Sequence, residues 1–383
     1  MSTKKKNKQE QTIPQSQANP KPEQKLSQRQ FFFMIIQTQI GVGVLSIPHE
    51  LHNASKQDGW ISLIIAAILI QIVVFVIWLT ARNHPEDNLF QINELIFSKW
   101  IGKGLSFLYV LYFLAVGTLI ILLYGRMISV WVLPNTPLWV LSLLMILICG
   151  YLVAGGLLVV ARLYTMLSFL LIILIALVIY SMKEMNLMYI LPVFEEGVGR
   201  VLKGVDKAVL SFFGFIVSLV IFPKVEGTPK QRLKTMVKAH WFVTGFYLFT
   251  VFASFTFFSS MELTTIPEPL LYMLKSFELP IIARIDLFFI SIWIISVATS
   301  FATYIYMGSL GLKHTFMKKG NVRHIVSISI VIFVITLFMG FDITKVETFN
   351  KWVVYAGYFF SLMLPFIMLP FSYLAKKRKK GKG

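Results

Sequence analysis

The chain has 383 residues, of which 56% are apolar and only 14% charged; a soluble domain of this size carries about a quarter charged residues. A bilayer core of roughly 30 Å takes about 20 mostly apolar residues per helix, and such stretches recur from Phe31 to Leu374 with no soluble domain inserted between them. The formal charge of +18 does not point to nucleic acid, because the basic residues fall in alternate loops, as a membrane topology rule places them.

The reading is therefore an all-α integral membrane protein with about ten transmembrane helices. Residues 1–30 are polar and lysine-bearing and read as a disordered cytoplasmic tail. Residues 31–374 form one membrane domain, and residues 375–383 a second basic cytoplasmic tail. The first apolar run lacks an A-x-A cleavage pattern, so it is expected to stay as an uncleaved anchor.

Helices are expected at 31–48, 60–81, 105–131, 138–154, 159–181, 205–223, 239–259, 284–311, 324–341 and 351–374. With the N-terminus inside, 26 of the 36 Lys and Arg residues fall on the inner side and 9 on the outer, with Arg126 inside helix 3. That bias puts both termini in the cytoplasm. Trp60, Trp78, Trp131, Trp139, Trp241 and Trp352 fall near the expected helix ends, where indole prefers the headgroup level. Between helices 2 and 3, Leu89, Ile92, Leu95 and Ile96 have helical spacing, which reads as a short amphipathic helix lying on the cytoplasmic face or else a simple loop.

The informative irregularities are glycines at membrane depth. Helix 1 carries Gln37, Thr38 and Gln39 ahead of Gly41 and Gly43, with Pro48 following. Each glycine weakens a helix by about 1 kcal/mol relative to alanine, and in lipid any freed backbone group has to be satisfied by protein or at a cavity. Helix 6 has a counterpart in Ser211, Phe212, Phe213, Gly214 and Phe215, with Pro223 beyond. The two helices lie five apart and run in opposite senses, the pattern of a five-plus-five inverted repeat with binding at two interrupted helices near the midplane. The alternative is that these glycines only permit close helix packing.

Helix 8 adds a polar stripe of Ser296, Thr299, Ser300 and Thr303, with Tyr304 and Tyr306 nearby. Its hydroxyls either line a cavity or bond their own helix and its neighbours. No carboxylate stands at mid-depth of any helix, which weakens the case for a proton-driven pump. No P-loop, HExxH or GxSxG sequence is present, so the chain does not read as an enzyme. The lone Cys149 rules out an intrachain disulfide. The histidines read as loop and helix-end residues, with His49 and His52 solvated, and neither a metal nor a cofactor is expected.

Ser27-x-Arg29-Gln30-Phe31-Phe32, leading into Gln39-Ile40-Gly41-Val42-Gly43-Val44-Leu45-Ser46-Ile47-Pro48, resembles the start of helix 1 in the B subunits of bacterial spore germination receptors. Those are members of the amino acid–polyamine–organocation superfamily. Asp58-Gly59-Trp60 and Phe222-Pro223-Lys224 look similar too. The resemblance implies a leucine-transporter-like fold in the inner membrane of the spore, and a complex with A-type and C-type receptor subunits. It also implies that a small nutrient, often an amino acid, binds this subunit and triggers germination. Two departures bear on the ligand: Ile216 stands where many relatives carry a glutamate, and Gly155-Gly156-Leu157 lacks an acidic residue often found with Arg162.

The expected pocket lies between the broken parts of helices 1 and 6, walled by helices 3 and 8. Backbone N–H groups freed at Gly41 and Gly43 would hold a carboxylate at a helix end, with Val42 between them also at the site and Gln39 adding a hydrogen bond. Ser211 and Gly214 flank the second break. Phe212, Phe215 and Tyr112 would shape the apolar part, and Thr299, Ser300 and Tyr304 would supply hydroxyls. Two other readings stand beside the sensor: a secondary transporter of amino acids or polyamines, and a scaffold whose site no longer binds.

Overall fold

The structure, a computed structural model, describes residues 24–195, 197–278, 284–316, 321–340 and 342–380. Most of the expected N-terminal tail and the last residues of the C-terminal one lie outside these. Within them the chain makes ten helical passes.

The first pass is α1 (Gln28–Gln39) and α2 (Gly43–Ser55), the second α3 (Gly59–Asn83). A short helix, α4 (Leu89–Phe97), precedes the third pass, α5 (Lys99–Trp131). The fourth is α6 (Leu138–Ala154); the fifth is α7 (Leu157–Leu167) with α8 (Leu170–Ser181). The sixth is split into α9 (Val198–Ser211) and α10 (Val217–Ile221). The seventh is α11 (Pro229–Phe257), followed by the connecting helices α12 (Ser260–Thr265) and α13 (Pro269–Lys275). The eighth and ninth are α14 (Ile285–Phe316) and α15 (Asn321–Met339). The tenth joins α16 (Ile343–Gly357) to α17 (Leu364–Lys380) through a π-helical turn at Tyr358–Met363.

Seven helical stretches among the described residues are long and apolar enough to cross a membrane. Of the remaining passes, α6 has 17 residues, and the first and sixth are each interrupted at a glycine. Side chains such as Leu147, Ile148, Ile330 and Phe338 are exposed along α6 and α15, as lipid-facing surfaces require and a soluble protein avoids.

Several helices start earlier than the apolar runs. Thr228 and Gln231 form a capping box with Pro229 in the first turn of α11, and Asp342 caps α16 through the Lys345 amide. Caps and a proline already set for helical φ carry helices past their apolar core into polar turns. The region between α3 and α5 resolves as a helix: Asn88 and Gln91 cap α4, whose Leu89, Phe90, Ile92 and Asn93 are buried. Gly102 of α5 permits this contact, since a Cβ there would stand 2.4 Å from the Glu94 Cα.

The chain ahead of α1 is tied down. The Leu26 amide donates to Lys224 O (2.7 Å) and the Glu226 amide to Leu26 O (2.9 Å), while Ser27 and Gln30 form the capping box that opens α1. At the other end, α17 continues as helix through Lys380. The Asp-Gly-Trp sequence makes the tight corner into α3. The Asp58 carboxylate accepts the Phe194 amide at 2.9 Å and 3.1 Å, and a Cβ at Gly59 would meet Leu51 and Phe255 at 2.9 Å.

Candidate functional site: a cavity between two broken helices

α1 stops because Ile40 turns to an extended conformation (ψ 97°) ahead of Gly41, and α2 restarts at Gly43 with no side-chain cap. The carbonyls this frees are taken up by neighbouring passes. Ser300 Oγ donates to Thr38 O at 2.9 Å, Tyr247 to Gln39 O at 2.8 Å, and Trp293 Nε1 to Gly41 O at 3.2 Å. The amides fare differently: among the described residues no acceptor meets those of Gly41, Val42 and Gly43. Gly41 is buried and Val42 and Gly43 are half-buried; a buried amide without a partner is rare in a finished fold, and three such amides together at a helix start form an anion-binding arrangement.

The second break lies against the first. α9 ends at Ser211, and Gly214 has φ +121°, a conformation that favours glycine. A Cβ there would stand 3.1 Å from Thr38 O and 3.3 Å from Gln39 Cγ. Gln39 Nε2 donates to Phe212 O at 2.8 Å across the gap. That leaves Gln39 Oε1 buried with no hydrogen-bond partner on a side chain only 5% exposed.

A cavity of about 190 Å³ opens at this junction, smaller than the 300–1,000 Å³ usual for drug-sized ligands. Its polar end is built by Thr38, Gln39, Gly41, Val42 and Gly43 of the first pass, Ser211 of the sixth, Tyr247, and Ser300 and Tyr304 of α14. Tyr112 and Val116 of α5, Phe213, and Val353 of α16 supply the walls, while Glu50 and Asn350 also border it. Tyr112 is fixed by Ser361 in the π-helical turn, 3.1 Å from its hydroxyl, and by stacking on Phe360. The extra residue of that turn thus steers a cavity wall.

Eight of the residues expected at the pocket line this cavity: Gln39, Gly41, Val42, Gly43, Tyr112, Ser211, Ser300 and Tyr304. Four do not. Phe212 is fully buried against His240 and Tyr247 on the far side of the break, and its neighbour Phe213 faces the cavity instead. Phe215 is buried in the core and Gly214 packs on α1. Thr299 turns toward Gln37, donating to its Oε1 at 2.7 Å, while Gln37 Nε2 donates to Ser168 at 3.0 Å. Counting residues at helical pitch fails at Phe212 to Ile216 because that segment is not an α-helix.

The sequence reading missed Phe213, Tyr247, Ser46, Glu50 and Asn350. For Ser46 and Glu50 a signal existed, since they stand three and seven residues beyond Gly43 and share its helical face. The apolar run predicts a helix ending at Pro48, yet α2 runs on to Ser55 with Pro48 inside it. The same extension corrects the histidines. His52 is 1% exposed and bonds Ser260 Oγ at 3.0 Å, and His49 Nδ1 donates to Leu263 O at 2.8 Å. Both hold α2 to the α12 region rather than standing in solvent. Among the described residues no group of acidic, histidine or cysteine side chains has the makings of a metal site.

The fold is similar to that of MhsT, in its crystal structure in complex with L-phenylalanine, with a TM-score of 0.69 over 91% of this chain and 89% of that one, at 14% identity. Among curated proteins, the chain is 29% identical to spore germination protein A2 of Bacillus subtilis over 93% of its length and 97% of the relative's. It is 28% identical to spore germination protein YndE of the same organism, over 78% of this chain and 83% of the relative. To spore germination protein GerQB of Bacillus cereus it is 25% identical, over 93% and 97%. The profile of the family described as spore germination protein matches residues 25–346. By that match, this multi-pass membrane protein belongs to the spore germination protein family.

Proposed function

We propose that this chain is the ligand-binding B-type membrane subunit of a spore germinant receptor, and that its cavity receives a small nutrient of the amino acid class. The observation that supports the reading most is the pairing of opposites at one end of the cavity. Three free amides at the start of α2 suit a carboxylate, and the unpartnered Gln39 Oε1, in the lining of the same cavity, suits an ammonium. A zwitterion satisfies both, and a buried polar group without a partner is costly.

Binding transmits a signal only if it favours one of two arrangements of the bundle. The cavity is bordered by both broken passes together with α5, α14 and α16, so a ligand there bears on the packing between the two halves. In this reading the chain sits in the inner membrane of the spore with both termini cytoplasmic, and works in a complex with A-type and C-type subunits.

The test is germination of spores whose only copy of this subunit carries Gly43→Leu. A Cβ at Gly43 meets nothing within 4 Å, so the leucine side chain starts in open space at the cavity lining. Loss of nutrient response, with the subunit present at normal abundance in the spore membrane, is expected. A normal response overturns the reading. Concentrative uptake of a labelled amino acid by the reconstituted chain would make it a transporter instead.

A further inference from the structure

The cavity has a second polar end. Glu50 lies two turns along α2 from the free amides, on the face that also carries Gly43 and Ser46, and Asn350 of α16 borders the cavity as well. Glu50 is half-buried, and among the described residues it is the only charged side chain lining the cavity. Among the described residues no hydrogen-bond or ion-pair partner meets its carboxylate. Between Gly43 and Glu50 the α2 face carries Ser46, while the other walls are largely apolar, with Val116, Leu119 and Val353 among them. A carboxylate kept partly out of water beside such a wall is costly unless a cation meets it.

The separation of the two ends acts as a ruler. Seven residues of α-helix advance about 10 Å at 1.5 Å each. Side chains on a helix lean toward its N-terminus, so the Glu50 carboxylate stands a few ångström nearer the amides than its Cα does. In extended L-lysine, six bonds, each advancing roughly 1.25 Å for bonds of about 1.5 Å, put the terminal nitrogen about 7.5 Å from the carboxyl carbon. The apolar walls formed by Val116, Leu119 and Val353 suit a chain of methylenes.

We propose that the ligand of this cavity is dibasic: an amino acid whose side chain ends in an ammonium or guanidinium, with Glu50 as the residue that selects the distal positive charge. The inference rests on the reading of the cavity as an amino acid site. The α-carboxylate takes the amides of Gly41 to Gly43, the α-ammonium takes Gln39 Oε1, and the distal cation takes Glu50 with Asn350 as a second acceptor. An amino acid with an uncharged side chain of the same length leaves the carboxylate unpaired, and one with a distal carboxylate is repelled.

The full-length protein in lipid nanodiscs, titrated calorimetrically with L-lysine, L-norleucine and L-2-aminoadipate, tests this directly. L-Lysine is expected to bind at least tenfold more tightly than L-norleucine, with L-2-aminoadipate weakest. In Glu50→Gln the ratio of the norleucine and lysine dissociation constants is expected to fall to about one, and in Glu50→Lys the preference is expected to pass to L-2-aminoadipate. Equal binding of lysine and norleucine by the unsubstituted protein overturns the proposal, as does a lysine preference that Glu50→Gln leaves intact. If Gly43→Leu abolishes the binding in either of those cases, the cavity remains the amino acid site and only the dibasic assignment falls. No binding of any of the three at millimolar concentration, by protein whose thermal unfolding is cooperative, removes both.

Discussion

The hydroxyl of Tyr247 lies 2.8 Å from the carbonyl oxygen of Gln39, at the end of α1. The same hydroxyl lies 3.1 Å from Ser211 O, where α9 ends, so one fully buried phenol on the seventh pass brackets both interruptions. It has a single proton to offer two acceptors, and each shift of that proton trades support between the two halves of the fold.

Tyr247→Phe removes this bracket while keeping the ring that packs edge-on against Phe212. Leaving a buried carbonyl without its donor costs about 1–3 kcal/mol. The variant is expected to fold with a lower melting temperature in detergent, and to raise the nutrient concentration needed for half-maximal germination. If the midpoint and the nutrient response both match the unsubstituted protein, the phenol is not holding the breaks.

The three glycines at the junction should respond differently to alanine. At Gly43 the added methyl meets open space, so Gly43→Ala is expected to fold at least as well as the parent, since alanine is the better helix former by up to about 1 kcal/mol. At Gly41 it would stand 3.2 Å from both Cβ and Oγ of Ser300, displacing the hydroxyl that satisfies Thr38 O. At Gly214 the backbone itself is hostile, and the Thr38 carbonyl is 3.1 Å away. Membrane abundance and melting temperature should therefore fall in the order Gly43→Ala, Gly41→Ala, Gly214→Ala. Equal tolerance at all three would mean that the breaks are not packed against one another as described.

Thr299 separates a ligand contact from a structural one. Its hydroxyl serves Gln37 Oε1, its carbonyl accepts from Tyr164, and that phenol also lies 3.0 Å from Thr303 Oγ1. The chain Ser168–Gln37–Thr299 joins the fifth, first and eighth passes away from the cavity. Thr299→Val keeps the shape and strands the Gln37 oxygen, so a stability loss of about 1–3 kcal/mol is expected, with ligand affinity changed less than twofold. Ser300→Ala, one residue on and facing the cavity, should lower affinity. A larger affinity loss at Thr299 than at Ser300 would reverse the assignment.

Much of this arrangement was legible from residue types alone. Glycines flanked by glutamine and threonine inside an apolar run marked the first break, because a membrane interior tolerates such a run only where something else satisfies the backbone. The five-helix offset to Gly214 marked its counterpart. What stayed hidden depended on direction rather than location. Phe212 and Phe213 differ by one residue, and the helical count that would choose between them has no meaning across a break. The role of Thr299 was unreadable because its partner, Gln37, is 262 residues away. Glu50 was overlooked through a local rule applied too firmly. Proline removes one hydrogen bond and crowds the carbonyl four residues back. That carbonyl belongs to Val44, in the first turn of α2, where the loss disturbs the helix least, and the helix carries on to Ser55.

The corner at Asp58 gives a last prediction, independent of any ligand. Asp58 is 3% exposed, and both its oxygens accept the amide of Phe194, which has a positive φ of 61°. The carboxylate thus pins the segment between α8 and α9, whose Leu187, Met188, Leu191 and Phe194 are exposed. Hydrogen bonds to charged groups contribute about 1.5–3 kcal/mol, so Asp58→Ala should release the segment, while Asp58→Asn retains one acceptor and most of the hold. Cleavage of the purified protein by a protease specific for large apolar residues is the measurement. Asp58→Ala is expected to be cut between Leu187 and Phe194 at least tenfold faster than the parent, with Asp58→Asn in between. Resistance equal to the parent in Asp58→Ala would show that the segment is held by its other contacts, such as the Asn186 amide on Thr256 O, and that the buried carboxylate only shapes the turn into α3.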